Sequence, residues 1–252
     1  MSLFSDEYER IYERVSCVPQ QKDEKRLKLF LDLVPQTQKM RILDLGCAEG
    51  KLAIKLAEKG HDVFAVDISQ GFLEQVRQSA EKNSVRISII KCDIENDISP
   101  LKDIRFDYIF FMDVLEHLRS PIKGLENICK LMSNESVLII YTPNACTLNN
   151  LIINIVKRKN ITDFRNPEKI GNLHLQEYES LSLQRLCAFA GLEVIKIIPT
   201  RVTLPFTKGR SSVRLARLFP SISDSLLFMC RKCDCVDFEK IVESMRSRIC
   251  KD

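Results

Sequence analysis

The chain has 252 residues, of which 45% are hydrophobic, and 38 basic against 34 acidic side chains give it a net charge of +4. This length fits one sizeable domain, the composition excludes a disordered chain, and the charge is too small to predict a nucleic-acid-binding surface. The start lacks the apolar core of a signal peptide, and no apolar run reaches the roughly 20 residues of a membrane span. Ten scattered cysteines indicate reduced thiols, so we expect a cytoplasmic protein.

The predicted elements begin with two helices, over Ser5–Val15 and Lys22–Val34, and continue from Met40 as alternating strands and helices. The predicted strands are Arg41–Leu45, Val63–Val66, Ile87–Lys91, Tyr108–Met112, Ser136–Tyr141, Leu192–Ile198 and Ser225–Cys230. The predicted helices are Lys51–Lys59, Gln70–Lys82, Asp113–Ser120, Ile122–Met132, Leu148–Lys157, Tyr178–Ala190, Ser212–Leu218 and Val236–Cys250. Alternation of this kind predicts an α/β fold, a parallel sheet with helices on both faces and ligands at the carboxyl ends of the strands.

A single domain over residues 1–252 is expected. Residues 1–39 would form N-terminal cap helices and residues 40–144 the cofactor-binding core. The regular alternation lapses at residues 145–177 and 199–224, which we interpret as insertions near the substrate pocket.

A glycine turn follows the first strand, in the sequence MRILDLGCAEGK of residues 40–51. Gly46 has no side chain, so a ligand can approach the main chain there. A dinucleotide-binding turn needs the pattern G-x-G-x-x-G, and Ala48 occupies its second glycine position. Asp44 would repel a pyrophosphate, but it could pair directly or through water with an ammonium group. The turn therefore predicts a nucleoside linked to an amino acid and free of phosphate, such as S-adenosylmethionine.

The pattern Asp44-x-Gly46-x-x-x-Gly50, with further matches at Asp67, Asp93 and residues 113–117, resembles class I S-adenosylmethionine-dependent methyltransferases. That resemblance covers roughly residues 41–196, and within the class the chain resembles the small-molecule enzymes of the ubiquinone-biosynthesis type (type 11/type 23). The resemblance implies a Rossmann-like, seven-stranded, mostly parallel sheet in which Ser225–Cys230 is the antiparallel edge strand. It also implies S-adenosyl-L-methionine as the cofactor. Ala48 departs from the usual middle glycine of the family.

The predicted cofactor contacts lie at strand ends. Asp67 could accept hydrogen bonds from both ribose hydroxyls, although NAD would use the same position and an N-cap role is the alternative. The resemblance implies that Asp93 accepts from the adenine amino group, where a solvated turn aspartate is the alternative. Ile68 could pack on the adenine face, with core packing as the alternative, and the resemblance implies that Ile94 borders the adenine ring. The predicted cofactor set is Asp44, Gly46, Cys47, Ala48, Gly50, Asp67, Ile68, Asp93, Ile94, Met112 and Asp113.

Asp113-x-x-Glu116-His117 is predicted to start a helix, where first-turn acidic residues are favoured by the helix dipole. The segment resembles the Glu-x-x-Glu-His run of ubiquinone-biosynthesis O-methyltransferases, which is associated with a divalent metal. Because the first position is Asp here, and many relatives without a metal have a similar sequence, no metal site is predicted. His117 and His174 are the candidate catalytic residues, and His174 could take a proton from a hydroxyl nucleophile, with a backbone-bonded loop histidine as its alternative. The run Cys230-x-x-Cys233-x-Cys235 lacks a second pair, so non-liganding thiols are predicted.

These features predict a methyltransferase that transfers a methyl group to a small-molecule acceptor by in-line displacement. A hydroxyl oxygen is the favoured acceptor atom. A phenol or quinone precursor, a sugar or lipid-linked glycan and a small carboxylate stay open as acceptors. The alternatives are a non-catalytic S-adenosylmethionine-binding regulatory or scaffold module and, disfavoured by the turn, an NAD-dependent oxidoreductase. No nucleic-acid partner is expected. Two basic, apolar stretches, NLIINIVKRK and SSVRLARLF, could touch a membrane surface or be ordinary amphipathic helices.

Overall fold

The structure is a computed structural model that describes residues 24–156, 174–204 and 211–233. The strands are β1 (Arg41–Leu45), β2 (Asp62–Asp67), β3 (Ser88–Lys91), β4 (Phe106–Met112), β5 (Met132–Pro143), β6 (Leu192–Pro199), β7 (Val202–Thr203), β8 (Ser211–Ser212) and β9 (Ser225–Lys232). The helices are α1 (Glu24–Leu31), α2 (Lys51–Glu58), α3 (Gln70–Lys82), α4 (Pro121–Leu131), α5 (Leu148–Val156), α6 (Ser180–Phe189) and α7 (Val213–Leu218). The helices predicted over Ser5–Val15 and Val236–Cys250 lie outside the described residues, as does Cys235.

Seven of these strands form one sheet in the order β3-β2-β1-β4-β5-β9-β6, while β7 and β8 pair separately. Strands β3, β2, β1, β4 and β5 are parallel, so their carboxyl ends meet at one edge of the sheet. The predicted mostly parallel sheet is confirmed. One detail is corrected, because the antiparallel strand β9 lies between β5 and β6, and β6 forms the edge.

The central strands are apolar on both faces because helices cover both sides of the sheet. Ile42 of β1 belongs to the core cluster shared with α1, α2 and α3, whereas the adjacent Leu43 belongs to the cluster shared with α4 and α6. The same alternation separates Phe110 from its neighbour Phe111 in β4. Such doubly covered strands lose the polar-apolar alternation of a half-exposed sheet, and this explains the continuous apolar runs in the sequence.

The helix predicted over Asp113–Ser120 is wrong, because the chain forms only a 3₁₀ turn at Leu115–His117. Asp113 has a φ of +53°, outside the helical region, and Leu118 is extended after the turn. Pro121 begins α4 and restricts the preceding residue to non-helical backbone, so no continuous helix can run through this segment.

Helix α1 packs against the sheet next to its carboxyl edge. Phe30 is buried and meets the rings of Phe110 and Tyr141 edge-on, at centroid distances of 6.4 and 5.2 Å. Aromatic pairs in this geometry add to the stabilisation from burial. This packing fixes α1 beside the ends of β4 and β5.

Candidate cofactor and acceptor site

The glycine turn between β1 and α2 is hydrogen-bonded to the end of β2. The amides of Gly46 and Cys47 both donate to the carbonyl of Val66, at 2.7 and 3.0 Å. Gly46, Ala48 and Gly50 have φ values of +74°, +46° and +72°, so the turn contains three residues in the left-handed region. The turn is therefore a tight bend attached to two neighbouring strands, at the edge where the fold predicts a ligand.

Asp67, at the end of β2, is hydrogen-bonded to this bend. One carboxylate oxygen accepts from the amide of Ala48 and the other from the amide of Ser69, both at 2.9 Å. Burial raises the pKa of Asp67, and these amide hydrogen bonds oppose the rise. The N-cap of α3 is Ser69, whose hydroxyl accepts from Phe72, so Asp67 does not serve as that cap. Each carboxylate oxygen keeps a lone pair that could accept a ribose hydroxyl.

Asp44 lies beneath the bend and is almost completely buried. Its Oδ2 accepts from the amide of Ala53 in the first turn of α2, at 3.1 Å. Burial raises the pKa of Asp44 to about 7, and the nearby charge of Asp67 adds to the rise. An adjacent ammonium group would favour the ionised carboxylate, so a cationic ligand would relieve part of this penalty.

Two valines explain why the turn requires its glycines. A Cβ built on Gly46 would lie 2.2 Å from Cγ2 of Val114, and one on Gly50 would lie 2.7 Å from Cγ2 of Val76. From the sequence, Gly46 was expected to leave room for a ligand. In the structure, Val114, which follows β4, takes the space in which a side chain of Gly46 would lie.

Other predicted cofactor residues lie around the same edge. The Cys47 thiol is buried, and burial and the charges of Asp44 and Asp67 raise its pKa well above the usual range. Asp93 accepts from the amide of Glu95 at 3.0 Å and from the side chain of Asn96 at 2.8 Å, which are turn contacts.

Three further residues of the predicted set are apolar. Ile94 is buried in the core, whereas Ile68 and Met112 are half-buried at their strand ends. Their contacts with a cofactor, like those of Cys47 and Asp93, stay predictions.

Asp113 lies at the end of β4 and forms an ion pair with Arg26 of α1, at 2.8 Å. The Asp113 amide donates to the carbonyl of Tyr141, and Arg26 also lies over the Tyr141 ring, 5.5 Å from its centroid. Burial raises the pKa of Asp113, and the Arg26 charge opposes the rise. Helix α1 therefore reaches the predicted methionine end of the site. Arg26 was not predicted from the sequence, because no local pattern links it to Asp113.

Glu116 forms the second part of the site, beyond the end of β4. Its side chain is only 1% exposed; Oε2 accepts from the Thr142 hydroxyl at 2.9 Å, while Oε1 has no hydrogen-bond partner in the part of the chain that the structure describes. Burial raises the pKa of Glu116 to about 7, and the Asp113 charge adds to the rise. Thr142 was missed by sequence analysis, although its place at the end of a predicted strand was a usable signal.

Both candidate bases meet at Glu116. The rings of His117 and His174 lie 5.0 Å apart between centroids, and one donor atom from each of these histidines and from Glu116 lies within 4.8 Å of the other two. The Glu116 carbonyl accepts from the amides of Leu175 and Gln176, at 2.8 and 3.2 Å, which holds the segment of His174 in place. Burial lowers the pKa of His174, so its imidazole favours the neutral form. Such a group can bind a metal or accept a proton.

Residues 36–184 match the family model described as a methyltransferase domain. The chain belongs to the methyltransferase-domain family. The match covers more than half of the chain and contains the glycine turn, Asp67 and Glu116. The predictions of a class I S-adenosylmethionine-dependent methyltransferase and of S-adenosylmethionine as cofactor are confirmed at the level of the family.

Curated relatives differ in the acceptor that their names state. The chain is 31% identical over 119 residues to tRNA 5-carboxymethoxyuridine methyltransferase of Escherichia coli (strain K12), covering 46% of this chain and 45% of that protein. It is 32% identical over 106 residues to ubiquinone biosynthesis O-methyltransferase of Rickettsia akari (strain Hartford), covering 42% and 41% respectively. The chain thus spans less than half the length of these relatives.

A solved structure supports the fold over nearly the whole chain. Magnesium protoporphyrin IX methyltransferase from Synechocystis, with bound SAH, has a TM-score of 0.58 and 13% identity, covering 91% of this chain and 96% of that one. At this identity the likeness concerns the fold alone. The comparisons do not favour the non-catalytic alternative. No helix among the described residues is long and apolar enough to cross a membrane, and the compartment stays a prediction.

Proposed function

We propose that this protein transfers the methyl group of S-adenosylmethionine to a hydroxyl oxygen of a small molecule. One observation carries the proposal. The carboxyl edge of the sheet brings together a carboxylate clamped to a glycine turn, Asp67, and a buried polar cluster at Glu116. Val114 packs on Gly46 and precedes Glu116 by two residues, so the two parts are neighbours. Nucleoside-binding and acceptor-binding groups would then flank the transferred methyl group.

The cofactor would lie across the ends of β1, β2 and β4. We assign the ribose hydroxyls to Asp67 and the ammonium group to Asp44, directly or through water, because these carboxylates are buried at the turn. Asp93 would accept from the adenine amino group, while Met112 and Asp113 would face the methionine part. The assignments of Asp44, Asp67 and Asp93 each use a carboxylate as a hydrogen-bond acceptor for a donor that the cofactor carries.

Methyl transfer from a sulfonium requires the protein mainly to position the two reactants. The methyl carbon of a sulfonium is already activated, so holding the acceptor oxygen in line with the carbon–sulfur bond supplies much of the rate. The oxygen–carbon bond forms as the carbon–sulfur bond breaks, which leaves S-adenosylhomocysteine, a methyl ether and one proton. In this arrangement His117 and His174, whose rings are in contact, would lie at the acceptor side and take up that proton.

A tRNA acceptor is the second candidate, and the E. coli relative favours it. The nearly balanced charge of the chain, 38 basic against 34 acidic residues, favours the small molecule, because phosphate backbones are bound through an excess of basic side chains. The Rickettsia relative, an O-methyltransferase by name, favours the same choice.

The test is transfer of radiolabelled methyl from S-adenosylmethionine into a cell extract that has been separated into small molecules, tRNA and protein. We expect label in an alkali-stable ether in the small-molecule fraction, and its loss with Asp67→Ala. Asp62→Ala, at the opposite end of the same strand, is the control and should retain transfer. Label confined to tRNA would replace the proposed acceptor, and cofactor binding without any label would overturn the proposed activity.

A further inference from the structure

We propose that Glu116, His117 and His174 form a binding site for a divalent first-row metal ion that prefers imidazole ligands, such as Zn²⁺, and that Asp113 is not one of its ligands. The three residues come from two separate segments and meet beside the end of β4. They include two of the three histidines in the chain.

The buried carboxylate is the first argument. Oε1 of Glu116 has no hydrogen-bond partner among the described residues, although the side chain is 1% exposed. Burying a polar oxygen without a partner is costly, and a carboxylate is among the most costly groups to bury. A cation at Oε1 would satisfy it. Thr142 donates to the other oxygen at 2.9 Å and so fixes the orientation of the carboxylate, as outer partners of metal ligands do.

The two imidazoles supply the remaining ligands. Their rings meet edge to face, and the three donor atoms lie within 4.8 Å of one another. Bonds of about 2.1 Å in a tetrahedral site require donor atoms about 3.4 Å apart, a closure that small side-chain rotations can supply. The amides of Leu175 and Gln176 donate to the Glu116 carbonyl and so attach the segment of His174 to the segment of Glu116 and His117. The main chain therefore brings the third ligand to the other two.

Asp113 is engaged elsewhere. It accepts from Arg26 at 2.8 Å, and a cation at the same carboxylate would compete with that guanidinium. The Glu-x-x-Glu-His resemblance would include position 113 with Glu116 and His117, whereas the geometry replaces it with His174. Two imidazoles and one carboxylate favour zinc-like ions, since Mg²⁺ prefers oxygen ligands and retains its water. No metal was predicted from the sequence because the first position of the run is Asp, and His174 lies too far along the chain to be grouped with that run.

A metal here changes the interpretation of the histidines. An imidazole that binds an ion through one nitrogen is not free to take the acceptor proton, so His117 and His174 would be ligands rather than general bases. Three protein ligands leave a position open to a hydroxyl, whose pKa a bound ion lowers. That last consequence rests on the proposed function, whereas the metal site does not.

The test uses the full chain without a purification tag and stripped of metal, titrated with Co²⁺ and followed by visible absorption and calorimetry. We expect one ion per chain, displaced by Zn²⁺ but not by Mg²⁺, with no thiolate charge-transfer band. His174→Gln and Glu116→Gln should each weaken Co²⁺ binding by at least about 100-fold. The Co²⁺ affinity of two control variants, Asp113→Asn and His61→Gln, should stay within about threefold of the wild type. His61 is the one histidine of the sequence that is outside the proposed site.

Circular dichroism and thermal unfolding of each variant check folding without reference to activity. If Glu116→Gln does not fold, His174→Gln decides the question, because His174 is only half-buried. No Co²⁺ binding by the folded wild type would overturn the site. Unchanged binding by His174→Gln, or a loss with Asp113→Asn as large as that with His174→Gln, would overturn the ligand set. Failure of methyl transfer with intact Co²⁺ binding would count against the proposed function alone.

Discussion

Replacing Gly46 by alanine tests the packing of the glycine turn. The new Cβ would lie 2.2 Å from Val114 Cγ2, where real Cβ atoms are not found within 3.0 Å, and φ is +74°. The left-handed backbone costs alanine about 1–2 kcal/mol, and relieving the overlap costs about 1–3 kcal/mol more. We expect Gly46→Ala to lower the free energy of unfolding by about 2–5 kcal/mol, measured by urea denaturation with circular dichroism.

Gly60 is the matched control, because it has a φ of +89° and a Cβ there would meet nothing within 4 Å. Gly60→Ala should therefore show the backbone term alone. Adding Val114→Ala to Gly46→Ala should recover the overlap term, giving a coupling energy of at least about 1 kcal/mol between the two sites. Equal losses for the two glycine variants, or no coupling with Val114, would refute the explanation that Val114 excludes a side chain at Gly46.

Three further predictions concern stability. Ala48 has a φ of +46°, so Ala48→Gly should raise the free energy of unfolding by about 1 kcal/mol, whereas Ala57→Gly inside α2 should lower it by a similar amount; chemical denaturation checks both signs. Burial raises the pKa of Asp44 from 3.8 to about 7, so folding becomes less favourable as pH rises between these values, by about 4 kcal/mol, and is then constant. Asp44→Asn lacks this loss, so its stability relative to the wild type should increase from pH 5 to pH 8 in urea denaturation; a difference independent of pH would contradict the shift. Phe30→Ala should cost about 3–5 kcal/mol and lower the thermal midpoint, since it opens the buried contact of α1 with the sheet, and a loss below 1 kcal/mol would mean that α1 does not pack as described.

Periodicity predicted the elements of the sheet because central parallel strands and amphipathic helices leave local signals. The bounds of β1 and α3 agree with the prediction, and the other strands of the seven-stranded sheet differ by a few residues at their ends. The two-residue strands β7 and β8 were not predicted. The place of β9 could not be predicted, because a strand carries no local information about which neighbour it pairs with. The prediction of a helix over Asp113–Ser120 was wrong because the acidic residues expected in the first turn of a helix also occur here, in a segment that forms a 3₁₀ turn after a left-handed aspartate.

In the candidate site, too, some features could be predicted from the local sequence and others could not. The sequence predicted Asp44, Gly46 and Asp67 as neighbours at the turn because all three stand at the ends of predicted strands, and their roles in binding stay predictions. The ion pair of Arg26 with Asp113 and the meeting of His174 with Glu116 join distant parts of the chain, and only the folded structure brings them together. The contact of Val114 with Gly46 also appears only in the structure. It explains the glycine at position 46 by packing, whereas the sequence pattern suggested only the approach of a ligand.

The most direct test is calorimetric titration of S-adenosylhomocysteine into wild-type protein and Asp67→Ala, with the 2′,3′-dideoxy analogue as second ligand. We expect Asp67→Ala to weaken the binding of S-adenosylhomocysteine by about 100-fold or more, because two hydrogen bonds to a charged group are lost. The substitution should change the binding of the analogue far less, because the analogue lacks both hydroxyls. Equal weakening of both ligands would mean that Asp67 acts only through the turn. Wild-type protein that binds neither ligand at millimolar concentration, or an Asp67→Ala protein that binds S-adenosylhomocysteine unchanged, would contradict a nucleoside site at this carboxylate.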